Sequence, residues 1–215
     1  MGTILSTYSA PLIEGFKYTL YASLLALLFS LIIGTLMAIF QLSHKKWVQY
    51  LAKAYVEFFR NIPLLIIVMF FYVVAPLYWF QLNGFTAGTI GLTLYTSAFI
   101  AETVRAGIES VPKGQLEAGL SSGFTYSKVM WYIILPQAFK IVIPPLGNQF
   151  INLVKNSSIL AMVAGLDLMY QGDLIASETF NTFDTYLIVG GFYLILTLPL
   201  SYLMKHIEKR LEVKN

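Results

Sequence analysis

The sequence predicts an all-α membrane protein with five transmembrane helices, its N-terminus outside and its C-terminus cytoplasmic. Three observations predict it. Of 215 residues, 57% are hydrophobic and 12% charged, with a mean hydropathy of +0.70, whereas soluble domains carry roughly a quarter charged residues. Long charge-free windows recur, and because one crossing takes ~20 apolar residues, the chain holds about five crossings and no second, soluble catalytic domain. Basic residues gather in alternate connections. Cysteine is absent, which removes disulfides and thiolate chemistry together. A net charge of +3, scattered along the chain, is too small to indicate a nucleic-acid binder.

The windows locate the helices because an ionised side chain at mid-bilayer costs ~2.5–3.5 kcal/mol. The first runs from Tyr18 to Ser43 and the second from Asn61 to Ala101. The second is long enough for two helices, and Pro76 with the cluster Asn83, Gly84, Gly88 supplies the turn between them. A fourth segment, Ile141 to Leu166, is interrupted by Lys155, and a fifth covers Thr185 to Met204. The expected helices are 16–42, 54–80, 86–108, 137–165 and 184–206, in one domain, 1–215, with a loop at 109–136. Lys45, Lys46, Lys53 and Arg60 follow the first helix, Arg105, Lys113, Lys128 and Lys140 the third, and Lys205, Lys209, Arg210 and Lys214 the fifth. Positively charged loops stay cytoplasmic, so these regions lie inside. The other side carries Glu14, Lys17, Asp167, Asp173, Glu178 and Asp184, one base against five acids. Lys17 is preceded only by Glu14 among charges and a full-length window follows, so helix one is expected to be retained rather than cleaved as a signal peptide. Met1, Gly2 and Ser6 fit a myristoylation pattern, but an outside N-terminus never meets a cytosolic acyltransferase.

The loop from Arg105 to Lys140 is far longer than the 2–8 residues that usually join bundle helices. Pro112 can open a short helix, Glu117 and Ala118 lie where it is regular, and Gly123 breaks it. Tyr126 to Ile134 can form a second short helix ending at Leu135 and Pro136. Two short helices on the membrane surface, hinged at glycine, are expected.

Gly119, Ser121 and Gly123 spell G-x-S-x-G, so a membrane serine hydrolase has to be weighed. That elbow needs a strand before it, and the segment reads helical. His44 and His206 are the only histidines, both at cytoplasmic helix ends, and no intramembrane Asp is placed to orient a base. No His or carboxylate set has the spacing of a metal site, and no GxxxxGK[ST] loop occurs, so the chain does not hold ATP in that way.

Intramembrane polar residues are the candidates for function. Glu57 with Arg60, and Glu102 with Arg105, lie three apart and can pair along their own helices. Glu102, with Ser97 and Thr96 one or two turns above it, can also face a central pathway and meet the amino group of a substrate. The fourth helix carries Pro144 and Pro145, then Gln149, Asn152, Lys155, Asn156, Ser157 and Ser158. Pro kinks a helix, and Gln149, Asn152 and Asn156 recur at three and four residues as one polar stripe, the best candidate for pathway lining. Lys155 either faces protein or water or snorkels to the outer surface. A helix broken near Asn156 would offer backbone groups to a zwitterion.

Glu117, Ala118, Gly119, then Gly123, then Ile133, Leu135 and Pro136 have the spacing of a known motif. The sequence resembles the permease subunits of binding-protein-dependent ABC importers at their EAA loop, with Gly119 where alanine is more frequent. The likeness extends to Phe59 through Leu65, to Ser97 through Gly114 and to Leu153, Lys155, Ser157 and Ser158, in the manner of the polar amino acid uptake branch. The resemblance implies coupling helices in the loop between helices three and four: Glu117, Ala118, Gly119, Gly123, Leu135 and Pro136 would seat in a cytosolic ATPase, Glu117 through charge-assisted hydrogen bonds. It also implies a second permease subunit, in a homodimer or heterodimer, two ATPase subunits and an extracytoplasmic amino acid binding protein. No cofactor is then expected on this chain, with ATP and Mg on the partner ATPase. A passive channel, also a small polar-lined bundle, lacks a reason for this loop. Acidic residues facing the path, Glu57 and Glu102, would favour basic amino acids such as arginine or histidine over glutamine.

Overall fold

The computed structural model describes residues 1–211; Lys214 lies outside the described residues. Among the described residues every regular element is helical. A short α1 (Gly2–Thr7) leads into α2 (Ser9–Gln41). There follow α3 (Lys46–Asn61), α4 (Leu64–Tyr78), α5 (Gly84–Glu109), α6 (Lys113–Ser121), α7 (Tyr126–Val163), α8 (Leu168–Thr179) and α9 (Thr182–Leu211). Three helices, α2, α7 and α9, are long and apolar enough to cross a membrane, and α3 with α4 forms a fourth, bent candidate.

α5 sits at the centre, packed against α2, α3, α4 and α7. Most of its inward positions are small or hydroxylated: Gly84, Ala87, Gly88, Gly91, Ala98 and Ala101 beside Thr89, Thr93, Thr96 and Ser97, with Leu92 and Ile100 the large exceptions, all buried. α2 answers with its own row of small residues, Ala22, Ser23, Ala26, Ser30, Gly34 and Ala38, and turns Leu24, Leu28, Ile32 and Leu36 outward. Lipid is as apolar as leucine, so burying leucine between helices gains little there; close backbone approach through small residues provides the attraction. At Gly34 the approach is tight enough that a Cβ would lie 2.7 Å from the Ser97 carbonyl oxygen. Hydroxyls of α5 are satisfied within the helix: Thr89 Oγ1 donates to the Phe85 carbonyl and Thr93 Oγ1 to that of Thr89, each at 2.7 Å.

The structure departs from the expected helices in five places. Helix one starts at Ser9, not 16, since Glu14 and Lys17 are tolerated on an exposed face. The segment 54–80 is divided: α3 and α4 meet at 104°, because Pro63 drives Ile62 into extended backbone (φ −97°, ψ 135°). The short helix expected to end at Leu135 and Pro136 instead runs on as part of α7. A π-helical turn over Met130–Ile134 opens the backbone where the proline ring would strike the carbonyl of residue 132. The segment after 165, expected as a loop, contains α8. α7 also is not broken near Asn156: it tightens to a 3-10 helix over Ser157–Val163. At 1.5 Å per residue its 38 residues extend about 57 Å, well beyond the ~30 Å hydrocarbon core.

The N-terminus of α8 is anchored by a buried carboxylate. Asp167 is fully buried; its side chain caps the helix by accepting from the Met169 and Tyr170 amides at 3.0 and 3.4 Å, and Thr19 Oγ1 accepts from the Leu168 amide at 2.9 Å. Burial pushes the carboxyl up to about 7, against the pull of its amide donors. The folded state thus holds this proton more tightly than the unfolded chain, so the group's contribution is most favourable below about pH 4 and declines as pH rises through 7. Thermal unfolding in detergent should show a Tm several degrees lower at pH 8 than at pH 5. Asp167→Asn, which keeps the cap acceptor, should flatten that difference; an unchanged pH dependence would place its source elsewhere.

Candidate functional site

Two polar regions emerge from this packing. The first is a charge cluster where the end of α3 meets α5. Arg105 grips Glu102 with two bonds, Nη2 to Oε1 at 2.6 Å and Nε to Oε2 at 3.1 Å, and also reaches Glu109. Arg60, at the end of α3, places Nη1 3.8 Å from Glu102 Oε2 and 4.0 Å from Glu57 Oε1. Its guanidinium carbon lies 5.7 Å from the centre of the Phe99 ring, and its Nε is buried without a hydrogen-bond partner among the described residues. One turn above, the Tyr55 and Ser97 hydroxyls are 2.7 Å apart, and Thr96 is buried beside them. The i, i+3 spacing foretold the pairs within each helix. The contacts between helices, Arg60 to Glu102 and Tyr55 to Ser97, depend on the bend at Pro63, which no spacing rule reports.

The second region lies on α7, and the structure divides it into two faces. Gln149 and Asn156 are half-buried and Asn152 is exposed, along the expected stripe. Lys155 and Ser158 lie on a neighbouring face, lining a cleft with Met169 of α8 and Tyr186, Gly190 and Tyr193 of α9. Ser157 and Ser158 spend their hydroxyls on the carbonyls of Val154 and Lys155, at 2.8 and 2.9 Å, as the helix tightens.

The loop residues form a compact protrusion. α6 folds back on the start of α7, with Val111, Val129, Ile134 and Ala138 as a small core. Glu117 and Ala118 point outward. Gly119 does not: it is buried, and a Cβ there would lie 2.8 Å from Val129 Cγ2. Its smallness serves the packing of α6 on α7. Gly123 adopts φ +83°, the left-handed conformation that ends a helix at low cost only for glycine, and the Phe124 amide donates to the Gly119 carbonyl at 3.2 Å to close the turn. Leu135 is half-buried and Pro136 exposed. Ser121 ends a helix with no strand before it, and His44 packs edge-on against Tyr126 with ring centres 5.7 Å apart, an arrangement unlike a nucleophile elbow. No cluster of metal-binding side chains forms among the described residues.

Comparison with known proteins agrees with this geometry. Residues 30–213 match the family described as "Binding-protein-dependent transport system inner membrane component". The chain is 60% identical over 199 residues to the probable glutamine ABC transporter permease protein GlnM of Bacillus subtilis (strain 168), covering 93% of this chain and 92% of that protein. It is 35% identical over 205 residues to the glutamine transport system permease protein GlnP of Escherichia coli (strain K12), covering 94% and 93%. A crystal structure of an amino acid ABC transporter with histidines superposes with a TM-score of 0.91 at 35% identity, covering 96% of each chain. The chain belongs to the family of binding-protein-dependent transport system inner membrane components, as a membrane-embedded permease subunit of a polar amino acid ABC importer.

Proposed function

We propose that this permease passes glutamine or a closely similar neutral polar amino acid into the cell, driven by ATP hydrolysis on a separate subunit. The observation that carries the choice of substrate is the state of Glu102. Both its carboxylate oxygens are already engaged by arginine, so it has no spare negative charge with which to attract a cationic side chain. The expected preference for arginine or histidine therefore gives way to glutamine, the amino acid for which the relatives at 60% and 35% identity are named. The amides of Gln149, Asn152 and Asn156 supply donors and acceptors matched to a neutral amide. Glu57, its carboxylate shared between Arg60 at 4.0 Å and the Asn61 amide at 3.1 Å, and Thr96, Ser97, Lys155, Ser157 and Ser158 complete the pathway side of the reading.

In this reading the chain crosses five times, α5 being one crossing despite its polarity, with the N-terminus outside. Two permease subunits enclose the path, an extracytoplasmic binding protein delivers the solute, and α6 with the start of α7 transmits the motion of two ATPase subunits that hold ATP and Mg. The protruding length of α7 and the packing of α6 on it support a stiff transmitting element. Proteoliposomes containing the permease, its ATPase and its binding protein should take up radiolabelled glutamine only with ATP and all components present, and glutamine in preference to arginine. Flux without ATP would establish a channel, and preferred arginine uptake would refute the substrate assignment.

Within that assay Glu102→Gln is expected to lower uptake about tenfold, the scale of one lost hydrogen bond to a charged group, by releasing Arg60 and Arg105. Asn152→Ala should raise KM with kcat little changed, as loss of uniform binding does. Unchanged kinetics in both variants would remove these residues from the pathway.

A further inference from the structure

α3 is three-sided. Ala52 and Val56 are buried against the bundle, with Val48, Tyr55 and Phe59 half-buried beside them. Lys46, Lys53, Glu57 and Arg60 share a second side, as positions seven, four and three apart do on a helix. The third side is apolar and open: Trp47, Tyr50, Leu51 and Phe58 are 67%, 73%, 59% and 58% exposed. At the elbow joining α2 to α3, Met37 and Phe40 of α2 and Trp47, Val48, Leu51 and Ala52 of α3 line an apolar groove with Lys45 at its mouth. The groove is continuous with the outward face of α2, where Leu36 and Ile39 are exposed.

We propose that this elbow binds one anionic phospholipid, its headgroup on Lys45 and Lys46 and an acyl chain in the groove between Phe40 and Trp47. Charge complementarity selects this occupant. Lys45, Lys46 and Lys53 make no ion pair among the described residues. Glu57, the one acidic residue of α3, is near the far end, where the Asn61 side-chain amide donates to it at 3.1 Å. A helix with a basic face and an apolar face that carries Trp and Tyr lies in the headgroup layer, and the cytoplasmic leaflet there is negatively charged. The inference requires that α2 cross the bilayer with the elbow inside, and is independent of which solute is carried.

The assembled transporter, in nanodiscs of zwitterionic lipid, is titrated with phosphatidylglycerol or phosphatidylcholine bearing brominated acyl chains. Trp47 emission is isolated as the difference between the wild type and Trp47→Phe. Quenching should half-saturate at a lower mole fraction of phosphatidylglycerol than of phosphatidylcholine, and raised salt should erase the preference. Lys46→Gln should shift the phosphatidylglycerol midpoint upward by about fivefold, the effect of one basic residue near a charged membrane surface. Equal quenching by the two lipids would overturn the proposal, since the groove would then be merely bathed in lipid. Absence of quenching by either would overturn it in favour of a protein chain covering this face. The salt arm uses the wild-type chain, so the test stands even if the lysine variant is poorly folded, and transport assays report on the substrate reading separately.

Discussion

Gly84→Ala is expected to abolish recovery of folded, monodisperse permease. Gly84 is the first residue of α5, set by the Asn83 side chain, which accepts from the Thr86 amide at 2.8 Å. It abuts the end of α7, where the chain turns through Ala164 in the left-handed region at φ 52°. A Cβ at residue 84 would stand 1.6 Å from the Val163 carbonyl oxygen and 2.8 Å from that of Ala164. Both obstacles are backbone, so no rotamer change relieves them; the two helix ends must separate. The cost is on the order of 3 kcal/mol or more, a large share of the ~5–15 kcal/mol that holds a typical domain. Gly190→Ala in α9 is the control, because nothing lies within 4 Å of a Cβ there, and removing a helical glycine should be neutral or stabilising by up to ~1 kcal/mol. Size-exclusion profiles and Tm in detergent check both, and a normal peak for Gly84→Ala would show that the ends are not so tightly apposed.

Gly123→Asp acts by another route. The residue is exposed, with nothing within 4 Å of a Cβ, but it holds φ +83°. Aspartate tolerates that conformation better than most residues, at ~1–2 kcal/mol, so the chain should still insert and keep its Tm within a few degrees. The new carboxylate would sit on the protrusion that carries exposed Glu117, adding negative charge to the surface proposed to seat in the ATPase. ATP-driven uptake should fall at least tenfold while the permease is retained, and less ATPase should co-purify with it. Full uptake and full ATPase recovery would remove this turn from the coupling of ATP hydrolysis to transport.

Much of this architecture was legible from charge and turn chemistry. Charge-free windows find α2 and α9 because lipid excludes charge from any helix it surrounds. Asn83 was rightly read at the turn before α5, where it caps the helix, whereas Gly84 and Gly88, read as part of that turn, lie inside the helix and serve its close packing. The bend between α3 and α4 was missed although Pro63 is plainly written, because the amphipathic α3 and the apolar α4 were read as one helix through the proline. Pro136 misled in the opposite sense, since a π-helical turn absorbs a proline that spacing rules treat as a stop. Within the candidate site, pairs three residues apart were readable, whereas the Arg60 to Glu102 contact requires knowing where two helices cross. Gly119 shows the limit of motif reading. The residue was expected to face a partner, and its buried position against Val129 gives it a task within the chain itself.

The composition of α5 also bears on how the chain is made. Its buried face is largely glycine, alanine, threonine and serine, which pack closely against another helix but gain little from lipid. α2, by contrast, is apolar enough to partition at once, and it carries the small-residue row that α5 packs on. Synthesis from the N-terminus delivers that docking surface first. The central helix has that row to pack on as soon as it emerges, so enlarging Ala26, Ser30 or Gly34 is expected to lower the yield of folded permease before it alters transport.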